Sequence, residues 1–392
     1  MGRRLLALGA AAAAAALLVL HAAGVFAQTD PLLQISGQSL AEMQFVSTLH
    51  ATTKGMKYWY TRGLGAKTGV PYEKLFCVKC HLRKLPSGTV LKGCETCHAE
   101  VENGKVIDFS VKVADRSETC LACHGREAKA IKLAEKGLIP GDVHMLGMGF
   151  TCSNCHDSKE VHAMGDYKTM REAVKRDCKD CHMKGYAPYP FNAIPEHRQH
   201  LDDLHCTACH VPTVVTCYSC HFDIAYKSYT TLHKVIKKAY PVVGWVLLVN
   251  DTKYNQIHAA NMMVVVWKEK NAYQVDIAPQ FPHIVVEEGK TCKDCHGTPV
   301  TKEIAEKGLV NLTWWNPREG KLEWVKGVVP IVEGVKYRLQ LVVYNETTGK
   351  WEPYKVVTID PAKALINGGV PISAKYIKKL AASPEELEKE TK

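Results

Sequence analysis

The chain has 392 residues, 46% hydrophobic and 23% charged, which excludes a wholly disordered or collagen-like polymer and leaves room for two or three ordinary domains. The formal charge of +10 would suit nucleic acid or an anionic surface, but sixteen cysteines are the more informative count.

Residues 1–27 read as an export signal. Arg3 and Arg4 form a short basic region, residues 5–19 are apolar and alanine-rich, and Val25, Phe26 and Ala27 offer a small-residue cleavage site. The mature chain is expected to begin at Gln28. No later stretch approaches the ~18 apolar residues of a membrane span, 242–249 being far too short. The expected location is the periplasm, the outer cell surface or the extracellular space.

Residues 28–221 are the next expected unit. Spaced apolar side chains in 39–50 (Leu40, Met43, Phe45, Val46, Leu49) predict a helix ending near His50. The glycine-rich and aromatic stretch 55–69, with Tyr58, Trp59 and Tyr60, reads as a loop. Seven C-x-x-C-H units follow: Cys77, Cys80, His81; Cys94, Cys97, His98; Cys120, Cys123, His124; Cys152, Cys155, His156; Cys178, Cys181, His182; Cys206, Cys209, His210; and Cys217, Cys220, His221. Short helices are expected between them at 127–136 and 170–176. Their uneven spacing excludes a solenoid of fixed repeat.

Residues 222–296 form a β-rich insertion, with strands expected at 242–250, 262–267 and 273–277 and a turn at 268–272. It ends in the eighth unit, Cys292, Cys295, His296. Residues 297–392 read as a C-terminal β module: strands at 310–315, 322–329, 335–344 and 354–359, turns at 316–320 and 345–349, and a charged helical tail at 383–392.

C-x-x-C-H is the attachment signature of c-type haem. Two cysteine sulfurs bond the vinyl groups, and the adjacent histidine is held against the iron as its proximal ligand. One unit alone could be a zinc half-site or a dithiol. Eight units that use every cysteine, behind an export signal, point to eight covalently bound c-type haems; neither zinc nor disulfides require a histidine after every pair. The units at Cys206 and Cys217 are separated by 211–216, which spans at most about 20–25 Å, so two haems must lie side by side. Without Arg3 and Arg4 the formal charge falls to +8. Haem propionates then absorb the basic excess, and nucleic acid is not an expected partner.

In the expected mature chain nine histidines lie outside the units: His50, His144, His162, His197, His200, His205, His233, His258 and His283. They suffice for a distal histidine at every iron with one spare, expected to be His197 or His258. His205, beside Cys206, is expected to reach a neighbouring haem. His50 should reach back from the N-terminal helix, and His283 should serve from a strand end. His144 and His162 flank the fourth unit, and His197 and His200 lie one helical turn apart. Met145, Met148 and Met164 are expected to pack rather than ligate. Lys79, Lys159, Lys179 and Lys293 read as solvated or as propionate partners.

With eight units and surplus histidines over residues 77–296, the chain resembles the octahaem members of the multihaem c-type cytochromes. The resemblance implies an α+β protein, mostly irregular and short-helical, wrapped around a haem row with the β-rich insertion and C-terminal β module attached. One group in that class conducts electrons and includes cytochromes that polymerise into extracellular filaments. A second group contains enzymes such as hydroxylamine oxidoreductase, octahaem nitrite reductase and tetrathionate reductase, with one open or unusually ligated haem. The C-x-x-C-K unit that marks the nitrite reductases has no counterpart among these eight units. The expected function is therefore electron carriage by haem-to-haem hopping in extracellular electron transfer, with no catalytic residues assigned. Expected partners are redox proteins, an extracellular acceptor or further copies of the chain; a multihaem oxidoreductase is the alternative.

Overall fold

The structure is a computed structural model that describes residues 48–52, 54–75, 83–84, 90–91, 93–162, 170–184, 197, 200–222, 226 and 240–390. The signal segment 1–27, Cys77, Cys80, His81 and His233 lie outside these residues, and at 220 and 221 only the backbone is described.

Residues 55–69 are helical, not a loop. Helix α1 (Lys54–Tyr60) runs into a π turn, Thr61–Gly65. The glycine cost of a helix is outweighed here by what the segment docks against. Tyr60 and Leu64 are buried with Phe222 and Trp267. Trp59 Nε1 donates to Asp276 Oδ2 at 2.6 Å, and Leu64 N–H donates to Gln274 Oε1 at 2.8 Å. Gly63 permits this approach, since a Cβ there would lie 1.8 Å from Gln274 Oε1.

Residues 93–162 and 170–184 form a string of one-turn helices, a hairpin of β1 (Ala99–Glu102) and β2 (Lys105–Phe109), and one longer helix, α2 (Gly125–Glu135). The buried apolar side chains described in this segment are only Ala99, Val113, Ala130, Leu133 and Ile139. Val106, Ile107, Phe109, Val111, Leu138, Leu146, Met148 and Met183 are exposed there. Such a segment cannot be held by a hydrophobic core of its own.

The conventional core lies beyond it. After helix α3 (Cys206–His210) come strands β3 (Thr216–Tyr218), β4 (Cys220–His221), β5 (Tyr240–Val242), β6 (Trp245–Asp251), β7 (Gln256–Trp267) and β8 (Ala272–Pro279). A 3-10 turn and Asn271, at φ 46°, reverse the chain between β7 and β8. Helix α4 (Pro299–Lys307) was not expected. Thr298 caps it, proline opens its first turn and left-handed Gly308 ends it. The C-terminal strands are β9 (Leu309–Asn311), β10 (Thr313–Asn316), β11 (Lys321–Trp324), β12 (Gly327–Pro330), β13 (Lys336–Asn345), β14 (Lys350–Ile359) and β15 (Gly369–Val370). The expected strand 322–329 is two strands, broken before Gly327 at φ 84°. The charged tail forms α5 (Pro384–Glu390).

The largest sheet has the order β8-β7-β6-β12, with β15 also on β6 and β4 on β7. β12 runs parallel to β6, Gly327 opposite Trp245. The insertion and the C-terminal strands thus share one sheet and one core, around Trp245, Leu247, Leu312 and Tyr337. Strands from both sides of the expected 296/297 boundary are thus paired. A second sheet, β9-β13-β14, and the pairs β3-β5 and β10-β11 complete this part.

The docking of α1 makes a prediction. Gly63→Ala should lower stability by about 1–3 kcal/mol, because the new methyl would displace the buried Gln274 amide from its place on the Leu64 N–H. A Gln274→Ala background should remove most of that cost in denaturant melts. An unchanged midpoint for Gly63→Ala would contradict the contact.

Candidate metal centres

The units at Cys94, Cys120, Cys152, Cys178 and Cys292 repeat one local structure. The histidine N–H closes a helical turn on the carbonyl of the first cysteine at 2.8–3.0 Å. At Cys206 the whole unit lies in α3. One turn sets sulfurs at i and i+3 on the same face, with the histidine next to them. Three motif histidines are then oriented by carbonyls: His98, His210 and His296 place Nδ1 3.2, 3.0 and 2.8 Å from the oxygens of Ser110, Val286 and Lys379. A carbonyl only accepts, so Nδ1 carries the proton and the Nε2 lone pair is left for a metal. His156 Nδ1 meets Glu160 Oε1 at 2.6 Å to the same effect.

Six histidines from outside the units stand opposite six motif histidines. The ring centroids are 6.2 Å apart for His50 and His124, 6.1 Å for His162 and His98, and 6.1 Å for His283 and His156. They are 6.1 Å apart for His144 and His182, 6.0 Å for His197 and His210, and 6.4 Å for His200 and His296. None of these twelve rings is buried. With imidazole–metal bonds of about 2 Å, two trans rings sharing one metal atom have centroids ~6.3 Å apart, whereas a tetrahedral metal would bring them to ~5 Å. The observed spacing fits trans ligation.

It does not fit zinc held by each unit's own cysteines and histidines. Among the described residues, the one group of three or more His, Cys, Asp or Glu ligand atoms within 4.8 Å of each other is Asp177, Cys178 and His205. No motif cysteine pair shares such a cluster with its histidine pair. A flat group wide enough to reach from the sulfurs to the space between the rings satisfies both observations, as haem does.

Cysteines of successive units lie close enough to shift each other's ionisation: Cys120 with Cys152, and Cys178 with Cys206. Cys123 lies within electrostatic reach of Cys97, Cys181 of Cys155, and Cys292 and Cys295 of Cys209. These proximities alternate between second cysteines and first cysteines and link the units in the order Cys94, Cys120, Cys152, Cys178, Cys206, Cys292.

His197, one of the two expected spares, stands opposite His210. Among the described side chains, His205 and His258 face no motif histidine. Their rings stack on each other at 4.2 Å, both fully buried, with Phe281 edge-on to each. His205 caps α3: its Nδ1 accepts the Thr207 N–H at 3.2 Å. The proton is then on Nε2, 3.5 Å from Asp177 Oδ2, and that nitrogen has no lone pair to offer. The expectation that His205 reaches a neighbouring haem is corrected to this capping role. Burial, with His205 beside it, pushes His258 down to about 3, so its ring stays neutral.

Asp142 was missed in the sequence. Its Oδ1 accepts the N–H groups of His144 and Met145 at 2.9 Å each, and its Oδ2 accepts that of Val285 at 2.8 Å. One buried carboxylate thus ties down the segments that carry His144 and His283. Burial opposes its charge, but the His144 side chain and the N–H groups of Met145 and Val285 hold it below its ordinary value. An aspartate two residues before a histidine is the only signal the sequence offered.

No protein-family model, curated protein or solved structure matches the chain. No helix among the described residues is long and apolar enough to cross a membrane.

Asp142→Ala should cost about 1–3 kcal/mol, since it leaves buried N–H donors unpaired. Denaturant melts would check this, and a loss below a few tenths of a kcal/mol would show that the carboxylate does not hold the two segments.

Proposed function

We propose that this protein is an exported octahaem c-type cytochrome that carries electrons, each C-x-x-C-H unit holding one haem covalently. The observation that carries the reading is the set of six histidine pairs with centroids 6.0–6.4 Å apart, each joining a motif histidine to one from elsewhere in the chain. When bound, such haems supply reversible one-electron redox chemistry.

The chain's own residues do the rest. Paired cysteines tether each group, and carbonyls at Ser110, Val286 and Lys379 fix the motif rings. In six sites a second histidine stands where it would hold the bound group from the opposite side, which would leave no position for a substrate there and supports carriage over catalysis. The contacts from Cys94 to Cys292 support a continuous row rather than isolated centres. The exposed apolar side chains of 93–184 can pack against the haem faces. Extracellular electron transfer is the proposed setting, with a redox protein, an extracellular acceptor or further copies of the chain as partners.

Intact mass of the exported protein should correspond to eight covalent haems. Electron paramagnetic resonance of the oxidised form should show at least six low-spin bis-histidine centres. His162→Ala should convert one of them to high-spin and spare the others. Zinc in place of haem, or a spectrum untouched by His162→Ala, would overturn the proposal.

A further inference from the structure

Two glutamates stand behind one of the six histidine pairs, one on each side. Resting on the reading of the units as haem sites, we propose that Glu160 and Glu127 are positioning residues for the haem at the Cys152 unit. Each presents a carboxylate to the outer ring nitrogen of one axial histidine, and together they lower the reduction potential of that haem.

On the motif side the contact is built locally. Asp157 caps the helical turn Ser158–Val161, its Oδ1 accepting the Glu160 N–H at 2.9 Å. That turn brings Glu160, four residues after His156, onto the same face. Its Oε1 lies 2.6 Å from His156 Nδ1, and its side chain is only 15% exposed, so water screens little of the charge. On the other side the contact is tertiary. The α2 residues Ala130 and Leu133 pack with Ile284, and Arg126 Nη1 donates to Gln280 Oε1 at 3.4 Å, so the first turn of α2 is fixed against the segment that carries His283. Glu127 Oε1 then stands 4.0 Å from His283 Nδ1. That nitrogen is buried and has no hydrogen-bond partner among the described residues. A histidine that gives Nε2 to a metal keeps its proton on Nδ1, and a buried N–H calls for an acceptor. Glu127 is the carboxylate in range, and a small turn of its side chain would close the gap. Arg126 lines the same pocket but, among the described residues, makes no ion pair with Glu127.

The sign follows from charge. A carboxylate on Nδ1–H strengthens the ring as a donor and leaves a negative charge near the iron. The ferric form carries one more positive charge than the ferrous, so both effects favour it. A carbonyl, which faces Nδ1 of His98, His210 and His296, orients the ring without that charge. At the neighbouring Cys178 unit, His144 Nδ1 lies 3.7 Å from Asp142 Oδ1, a carboxylate on one ring of its pair. At the Cys152 unit both rings of the pair face one. Cys152 lies next to Cys120, and Cys155 within electrostatic reach of Cys181. The two glutamates therefore set the potential of an interior step in the order of units, between its neighbours on either side.

Glu160→Gln and Glu127→Gln keep the size and an acceptor oxygen while removing the charge. Paramagnetic NMR through a potentiometric titration of the loaded protein resolves single haems, and His283→Ala, which should turn the Cys152 haem high-spin, identifies its signals. Each glutamine variant should raise the midpoint of that one haem. The expected change in its reduction equilibrium constant is about three- to tenfold for Glu160→Gln and smaller for Glu127→Gln. The double variant should raise it further than either alone, with every haem still covalently bound and that one still low-spin. No shift in either variant, a lowered midpoint, or shifts at two different haems would overturn the inference while leaving the cytochrome reading intact. So would loss of the low-spin state in a glutamine variant, the mark of a merely structural role, or a His283→Ala protein in which no haem turns high-spin. A chain with no covalent haem would remove that reading and this inference with it.

Discussion

Two imidazoles held opposite each other across about 6 Å are the constraint on which the rest of this structure depends. Aromatic side chains also pack at such distances, as Tyr240 with Trp324 at 6.0 Å, so the recurrence of the spacing at motif histidines is what tells. The two histidines that stack directly, His205 and His258, have centroids 4.2 Å apart. Six separate pairs at 6.0–6.4 Å, each with one member from a C-x-x-C-H turn, need a common cause. A metal bound trans by both rings is the cause proposed here. Because the partners come from distant parts of the sequence, as His283 with His156 and His50 with His124, each centre also cross-links the chain.

The β-rich part and the row stabilise the molecule in different ways. From β3 onward the strands share an ordinary apolar core around Trp245 and Tyr337. Residues 93–184 have no such core, and on the proposed reading ligation holds them, so metal affinity and folding free energy are the same quantity in that segment. The connection between the two parts is made by particular residues. Val286 and Lys379 supply the carbonyls that orient His210 and His296, and Asp142 binds the Val285 N–H. The sheet is thus a frame that positions motif histidines as well as a core.

The cysteine units were legible because their signal is local: every helical turn needs only five consecutive residues. The pool of histidines outside the units was legible as a count, but its pairing was not. Pairing is tertiary, and nothing near His162 or His200 names its partner. His205 misled because adjacency to Cys206 looked like ligation, whereas an imidazole preceding a helix can serve as its cap, a role usually taken by Ser, Thr, Asp or Asn. The strands 242–250 and 335–344 were visible from their β-branched runs. Residues 55–69 were misread because their glycines argue for a loop, and only the distant Gln274 and Asp276 make the helix worthwhile. The shared sheet of insertion and C-terminal strands depends on the parallel pairing of β12 with β6, which no sequence pattern encodes.

Anomalous scattering at the iron edge from crystals of the exported protein tests the central claim most directly. The account predicts an iron peak midway between the rings of each pair: His50 and His124, His98 and His162, His144 and His182, His156 and His283, His197 and His210, and His200 and His296. Iron peaks elsewhere, or a different metal seated among the cysteine sulfurs with these ring pairs empty, would contradict it.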